Sequence, residues 1–279
     1  MANPTQAQKA QLFRALHGRP QAFVIPNPWD IGSARILHAL GYEALATTSA
    51  GYSFSQGLHD GEGLVGREQM LAHCRQIVEA TPLPVSADLE NCFGHAPDVV
   101  AETIRRAAAV GLVGCSVEDA TGDESRPIYD FNHAVERVAA AVEAVRAQPF
   151  PFTLTARAEN FLHRKPDLDD TVKRLQAFAK AGAHVLYAPG LPGLDAIKAV
   201  VAAVSPTPVN ILAGGKNTQL TVANLSAAGV KRISVGGALY RAAMGEFLRA
   251  ARETKAQGTF GWGTAAATHA ELTAYMVGK

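Results

Sequence analysis

Short apolar runs recur along the whole chain, each bounded by turn residues and each followed by a stretch of helical periodicity. The runs fall at 23–27, 44–48, 84–90, 114–120, 152–159, 184–190, 209–214 and 232–237, which makes about eight strands. Between them the spacing predicts helices over 31–40, 67–80, 97–110, 133–147, 167–181, 195–204 and 219–228. Several end in Ala-Gly or Val-Gly, at Gly111, Gly182 and Gly229, the signal of a chain leaving a helix through a left-handed residue. The strands are mostly apolar at consecutive positions, which suits a parallel sheet buried on both faces. Count, order and length predict an α/β fold, a (β/α)8 TIM barrel. A doubly wound open sheet would place a GxGxxG turn after its first strand, and IPNPWDIGSA has none.

No Pro/Ser-rich linker or low-complexity tract divides the chain, so residues 1–257 are expected to form one catalytic barrel domain. Residues 258–279 are expected to be a C-terminal helical extension of that domain. Here the chain meets Gly-Thr-Phe-Gly-Trp-Gly at 258–263 and then another apolar helical stretch, which is either an appendage that packs on a partner subunit or a plain C-terminal extension. With 26 Lys plus Arg against 25 Asp plus Glu, the formal charge is +1, which gives no basic face for nucleic acid or an anionic membrane. The three cysteines, Cys74, Cys92 and Cys115, are odd in number and lack metal-binding spacing, so a reduced, cytoplasmic setting is expected. No stretch approaches about 18 uninterrupted apolar residues, and the N-terminal segment is amphipathic and polar, so neither a membrane span nor a signal peptide is expected.

In a parallel barrel, function is built at the C-terminal ends of the strands, and acids gather there. The third strand finishes Ser-Ala-Asp88-Leu-Glu90, with two carboxylates at i and i+2 on one side of a strand. The fourth finishes Ser-Val-Glu118-Asp119 and the fifth Thr-Ala-Arg157-Ala-Glu159. Repelling carboxylates packed together must protonate or share a cation, and an oxygen-only set favours Mg2+, or else Mn2+, over Zn2+. The plainer alternative is that these acids cap helices or pair with surface lysines, and that Asp119, on the opposite face, begins a loop. Arg157 either clamps an anionic substrate bidentately or pairs internally with Glu159 or Glu118. The turn Thr48-Ser49-Ala50-Gly51-Tyr52 offers backbone N–H groups and a hydroxyl for a carboxylate. Cys92 reads as a small buried packing thiol, and His59 and His95 as solvated loop histidines.

Five segments carry a wider likeness: PNPWDIGSARILHALGYEALATTSAG at 26–51, Leu58-His-Asp60-Gly-Glu, SADLENCFG at 86–94, SVEDA at 116–120 and TARAENF at 155–161. In this order they resemble the isocitrate lyase and phosphoenolpyruvate mutase superfamily, across roughly the whole barrel. The resemblance implies a divalent ion, usually Mg2+, held by Asp88, with Asp60, Glu90 and Glu118 binding directly or through water. It also implies that Ser49, Ala50 and Gly51 receive the carboxylate of a small anionic 2-oxo acid and that Arg157 meets the substrate. Members cleave or form C–C or C–P bonds beside such an acid through a stabilised enolate, and commonly assemble as tetramers by exchanging a C-terminal helix. A homo-oligomer, dimer or tetramer, with the tail from about Gly258 in that role, is therefore expected.

After its fourth strand the lyase branch carries a Lys-Arg-Cys-Gly-His loop, with the cysteine as catalytic acid or base. This chain has Thr121-Gly-Asp-Glu-Ser-Arg-Pro-Ile-Tyr129 there, so Tyr129, Arg126 and Glu124 become the candidates for proton transfer, while Glu118 and Arg157 are candidate catalytic residues beside the metal and the substrate. Arg157-Ala-Glu159 is similar to the Arg-x-Glu of the phosphonate enzymes. The expected activity is Mg2+-dependent cleavage of a C–C or C–P bond in a small 2-oxo or 2-hydroxy acid. The alternatives are an oxaloacetate decarboxylase and a non-catalytic oxo-acid binder that has lost the lyase loop.

Overall fold

The computed structural model describes residues 3–215 and 220–276. Eight parallel strands, β1 (Phe23–Ile25), β2 (Leu45–Ala46), β3 (Val85–Asp88), β4 (Gly114–Glu118), β5 (Thr153–Arg157), β6 (Val185–Tyr187), β7 (Val209–Leu212) and β8 (Arg232–Ser234), form one sheet. Its order is β1-β8-β7-β6-β5-β4-β3-β2. The Ala46 N–H donates to the Pro26 carbonyl at 3.1 Å, a bond that links β2 back towards β1 and nearly closes the barrel.

Helices α1 (Gln6–His17), α2 (Ile31–Ala39), α3 (Ser49–Ser55), α4 (Arg67–Ala80), α5 (Pro97–Ala109), α6 (Phe131–Arg146), α7 (Leu168–Ala181), α8 (Leu194–Val204), α9 (Val222–Ala227), α10 (Ala238–Gln257) and α11 (His269–Met276) complete the described chain, with a 3-10 turn at Gly261–Ala265. Outward-facing strand residues such as Leu45, Cys115, Leu154, Leu186, Ile211 and Ile233 pack beneath the helices in the main core. The inward-facing set is different. Ser86, Asp88, Ser116, Glu118, Arg157, Tyr187, Asn210, Arg232 and Ser234 line the lumen. The strands thus alternate more than their composition implied, because their inner face is the floor of a cavity.

Helix α1 closes the opposite end of the barrel. Thr5 and Gln8 form a reciprocal capping box at its start. Ala10, Phe13 and Leu16 then pack against Phe23, Ile25, Ala44 and Val113. Gln6 Nε2 donates to the carbonyls of Ala108 and Leu112, and Lys9 Nζ to that of Thr81.

Helix α7 ends as expected, with Gly182 at φ 109°, a conformation that costs a residue with a Cβ. Residue 219, the expected start of the helix now assigned to Val222–Ala227, lies outside the described residues, as do the last three of the expected extension. Among the described residues no helix is long and apolar enough to cross a membrane.

Candidate active site

A cavity of about 310 Å³ opens at the C-terminal ends of the strands. The third, fourth and fifth strand ends deliver Asp88, Glu90, Glu118, Arg157 and Glu159 to it, the loop between α3 and α4 delivers Asp60, and the start of α3 delivers Ser49 and Ala50. Asp88 is the hub. Its Oδ2 accepts from Ser49 Oγ at 3.0 Å and from the Ser49 N–H at 3.3 Å, while its Oδ1 accepts from Ser116 Oγ and from Arg157 Nη1 at 3.0 Å.

Arg157 meets three carboxylates at once. Nη1 lies 3.0 Å from Asp88 Oδ1 and 2.7 Å from Glu118 Oε1, and Nε lies 2.7 Å from Glu159 Oε1. The guanidinium also sits over the Tyr187 ring. Burial opposes its charge, but Glu118, Glu159 and Asp88 outweigh that and raise its pKa well above the ordinary value. The two roles considered for Arg157 are therefore compatible: it lines the cavity while holding an internal ion cluster.

The remaining acids are electrostatically crowded. Burial, and then the charge of Asp88, push Asp60 up to about 6. Burial with Asp88 and Asp60 pushes Glu90 up to about 7. Burial drives Glu118 well above the carboxylate range, with Arg157 opposing. Hard oxygen donors that resist ionisation because they are buried, and also repel one another, have the chemistry of a divalent-cation site. Among the described residues no three acidic, His or Cys side chains already converge on one point at ligand distance. The carboxylate oxygens are nevertheless of the kind a hard divalent ion takes, with water able to fill its remaining positions. The donor set fits such an ion.

Several expectations from the sequence take a different form here. Ser49-Ala50-Gly51 is the first turn of α3 and not an open loop. The Gly51 N–H is taken by the Thr48 hydroxyl at 3.2 Å, and a Cβ at Gly51 would meet Thr48 Cγ2 at 2.6 Å. Ser49 and Ala50 reach the cavity, whereas Gly51 packs beside it. Glu90 does not continue the strand. β3 ends at Asp88, and Glu90, Cys92 and Phe93 adopt φ of 49°, 61° and 61° in a loop clamped by Arg137, whose guanidinium donates to the carbonyls of Asn91, Gly94 and His95.

Tyr129 is not brought to the cavity. It is buried, with its hydroxyl 2.7 Å from His95 Nδ1 and its ring under Arg137. The rest of the 121–129 segment folds on itself, with Thr121 Oγ1 donating to the Arg126 carbonyl and Asp123 accepting from Ser125. Glu124 and Arg126 do not line the cavity either. Asp119, for which a loop start was the plainer alternative, is a buried anchor that accepts from the Glu159 N–H and pairs with Arg174. Cys92 is buried and free, as are Cys74 and Cys115.

Sequence reasoning missed Tyr187, Asn210, Arg232, Ser234 and His163, all of which line the cavity. The available signal was the alternation Arg232-Ile233-Ser234 in β8, whereas Tyr187 and Asn210 are single polar residues in β6 and β7 and His163 lies in the loop before α7.

The sequence profile of phosphoenolpyruvate phosphomutase matches residues 13–255. The chain belongs to the phosphoenolpyruvate phosphomutase family. Members of this family and its relatives are lyases and mutases, and the chain is an enzyme of that superfamily. A solved protein from Burkholderia cenocepacia J2315, described as a candidate lyase/mutase, is 56% identical, with a TM-score of 0.94 over 98% of this chain and 97% of that one. The 2,3-dimethylmalate lyase of Eubacterium barkeri is 28% identical over 79% of this chain and 77% of its own. A phosphonopyruvate hydrolase solved with oxalate and Mg2+ shares the fold, with a TM-score of 0.84 over 96% of this chain and 94% of its own at 21% identity.

Proposed function

We propose that the protein is a divalent-cation-dependent enzyme that cleaves a C–C or C–P bond of a small 2-oxo or 2-hydroxy acid through an enolate. The observation that carries this reading is the meeting of Asp60, Asp88, Glu90 and Glu118 with Arg157 and Ser49 at one cavity. Asp88, with Asp60, Glu90 and Glu118 beside it, would hold the cation, Mg2+ by its donor chemistry, with Mn2+ the alternative. When bound, that ion supplies Lewis-acid polarisation of the oxygens of an oxo acid.

The chain's own residues do the remaining work. Ser49 and Ala50 orient the carboxylate at the start of α3. Arg157 adds positive charge where negative charge grows as the bond breaks, and its three carboxylate partners fix it there so that little reorganisation is needed. A small anionic acid in the cytoplasm is the substrate class, and the three free buried thiols support that compartment. We also read residues 1–257 as the catalytic barrel, with the tail from 258 serving assembly of a homo-oligomer, dimer or tetramer.

The folding of residues 121–129 away from the cavity favours a second reading, decarboxylation of oxaloacetate, which needs no acid or base from that segment. Incubating the enzyme and Mg2+ with oxaloacetate, 2-methylisocitrate, 2,3-dimethylmalate and phosphonopyruvate, and assaying pyruvate, succinate and phosphate, separates the readings. Pyruvate from oxaloacetate alone selects the decarboxylase. Asp88→Ala should abolish both Mg2+ binding by calorimetry and turnover, and undiminished affinity for the ion in that variant overturns the proposal.

A further inference from the structure

Two arginines line the cavity, and only one of them is neutralised. Inward residues of β4 to β8 stand in one register row: Glu118 opposite Arg157, Arg157 opposite Tyr187, Tyr187 opposite Asn210, and Asn210 opposite Arg232. All five line the same cavity. Glu118 is the last residue of its strand and Arg232 the first of its own, so in a barrel of tilted strands the row runs from the mouth down into the lumen.

At the upper end, Arg157 is saturated by Asp88, Glu118 and Glu159. At the lower end, Arg232 is only 5% exposed, and its one hydrogen bond to a side chain goes to a neutral group, from Nε to Asn210 Oδ1 at 2.9 Å. Its Nη1 is buried and has no acceptor, and among the described residues Arg232 takes part in no ion pair. The nearby buried histidine supplies no negative charge. His17 donates from Nδ1 to the Phe13 carbonyl at 2.8 Å, and burial holds it neutral, lowering it to about 3. Burial also lowers Arg232, to about 10, with Tyr187 opposing, so the group remains a cation at neutral pH.

A buried cation without a counter-charge is costly, and a guanidinium is the fork that binds a carboxylate bidentately. The other lumen groups at this level, Asn210 and Ser234, are neutral and already joined, Asn210 Nδ2 donating to Ser234 Oγ at 2.9 Å. What the lower cavity lacks is one anion. We propose that Arg232 receives the second carboxylate of a dicarboxylate substrate whose oxo-acid end lies at the mouth beside Ser49, Asp88 and Arg157. This deepens the reading above and rests on it for the placement of the oxo-acid end. The cavity's volume of about 310 Å³ lies at the small end for ligand sites, which limits the substrate to a short acid.

The test compares succinate with succinamate, in which one carboxylate is replaced by a neutral amide of nearly the same shape. Both are titrated calorimetrically into the Mg2+-loaded protein. Succinate should bind at least about tenfold more tightly, the value of a charge-assisted hydrogen bond. Arg232→Gln should erase that preference and leave succinamate affinity unchanged. Equal binding of the two by the native protein, equal loss of both in the variant, or no binding of either overturns the proposal. A preference for 3-phosphonopropionate with none for succinate overturns the carboxylate assignment.

Because Arg232→Gln could fail to fold, a crystal of the native protein soaked in succinate provides an independent check. A carboxylate oxygen should lie within hydrogen-bond distance of Arg232 Nη1, and succinate bound with that nitrogen unpartnered overturns it. Neither measurement requires turnover. A charge preference without any lyase activity would sink the proposed reaction alone, and turnover of monocarboxylates without the preference would sink this inference alone.

Discussion

Arg174 and Asp119 show how a single buried pair supports the rim. Arg174 Nη1 lies 3.0 Å from Asp119 Oδ2 and donates to the Tyr129 carbonyl at 2.9 Å, while its Nε donates to Asp170 Oδ2. Asp119 in turn accepts from the Glu159 N–H, so the pair ties the ends of β4 and β5 to α7. Burial pushes Asp119 up to about 7 even with Arg174 opposing, and removing the arginine leaves an uncompensated buried carboxylate. Arg174→Met should therefore cost about 3–5 kcal/mol in urea unfolding, and a loss below about 1 kcal/mol would show the pair to be ornamental. His17 gives a prediction of opposite kind. Its folded pKa, about 3, lies below the unfolded value of about 6.5, so its neutral form stabilises the fold above the unfolded value. That stability is lost as pH falls from about 6.5 towards 3, and amounts to about 2 kcal/mol by pH 5. Between pH 7 and pH 5, His17→Gln should lose less stability than the native chain by that difference, and parallel losses would contradict the assignment. Sequence pattern exposed Asp88 and Glu118 because acids at strand ends are chemically conspicuous. Arg232 escaped because one arginine after a helix reads as a surface charge until the register turns it inward.

At the level of elements, helices with a strong apolar stripe were legible almost to the residue. Residues 67–80 were expected and Arg67–Ala80 is α4, while 97–110 became Pro97–Ala109. The strand ends were less so. Residues 84–90 were expected as strand, yet β3 stops at Asp88, because left-handed backbone at non-glycine positions is set by the Arg137 clamp from α6 and leaves no local sequence mark. Helix α3 was read as a turn, since SAGYSFS has too few residues to display a helical period. Helix α1 was read as merely amphipathic, and its role as the floor of the barrel emerges only when Phe13 meets Phe23 at a ring separation of 6.3 Å beneath the lumen. Phe13→Ala would leave a hole among Ala10, Ile25 and Val113 and against Gly114, whose missing side chain makes room for the Phe13 ring at 3.0 Å from a built Cβ. Truncation of a fully buried phenylalanine costs about 3–5 kcal/mol. The midpoint of urea unfolding should fall accordingly, and an unchanged midpoint would mean that α1 is an accessory and not a plug.

Over the whole molecule, one element does not follow the barrel's logic of burial. α10 runs for 20 residues without a single buried side chain, although Tyr240, Met244, Phe247, Leu248 and Ala251 repeat at helical spacing along one stripe. Its first turn is held against the barrel, where Tyr240 packs edge-on to Trp29 and lies against Phe54, while its last turns bond to the segment that follows, Glu253 accepting from the Gly261 N–H and Thr254 Oγ1 from Trp262 Nε1. Further along, Phe247 is 60% exposed, and Phe260 beyond the helix is 68% exposed. Helix α11 folds back to α2, where Arg35 Nη1 donates to the Met276 carbonyl. A stripe of this size left in water is unfavourable, at roughly 25 cal/mol for each Å² of apolar surface, and contiguous apolar exposure of this kind marks an interaction surface. In the homo-oligomer proposed above a second copy of the chain would cover it, since the stripe and its complement are then encoded together and the contact closes by symmetry. The expectation is a native mass that is a multiple of 29.4 kDa by light scattering at micromolar concentration. Phe247→Asp would bury a carboxylate in the interface and should shift the protein towards monomer, with the fold intact by circular dichroism since no barrel residue is touched. Because Gly237, just before α10, lines the cavity, dissociation is also expected to lower kcat by loosening that rim. A native chain that is monomeric at that concentration, or a Phe247→Asp variant with unchanged mass, would remove α10 as the assembly surface.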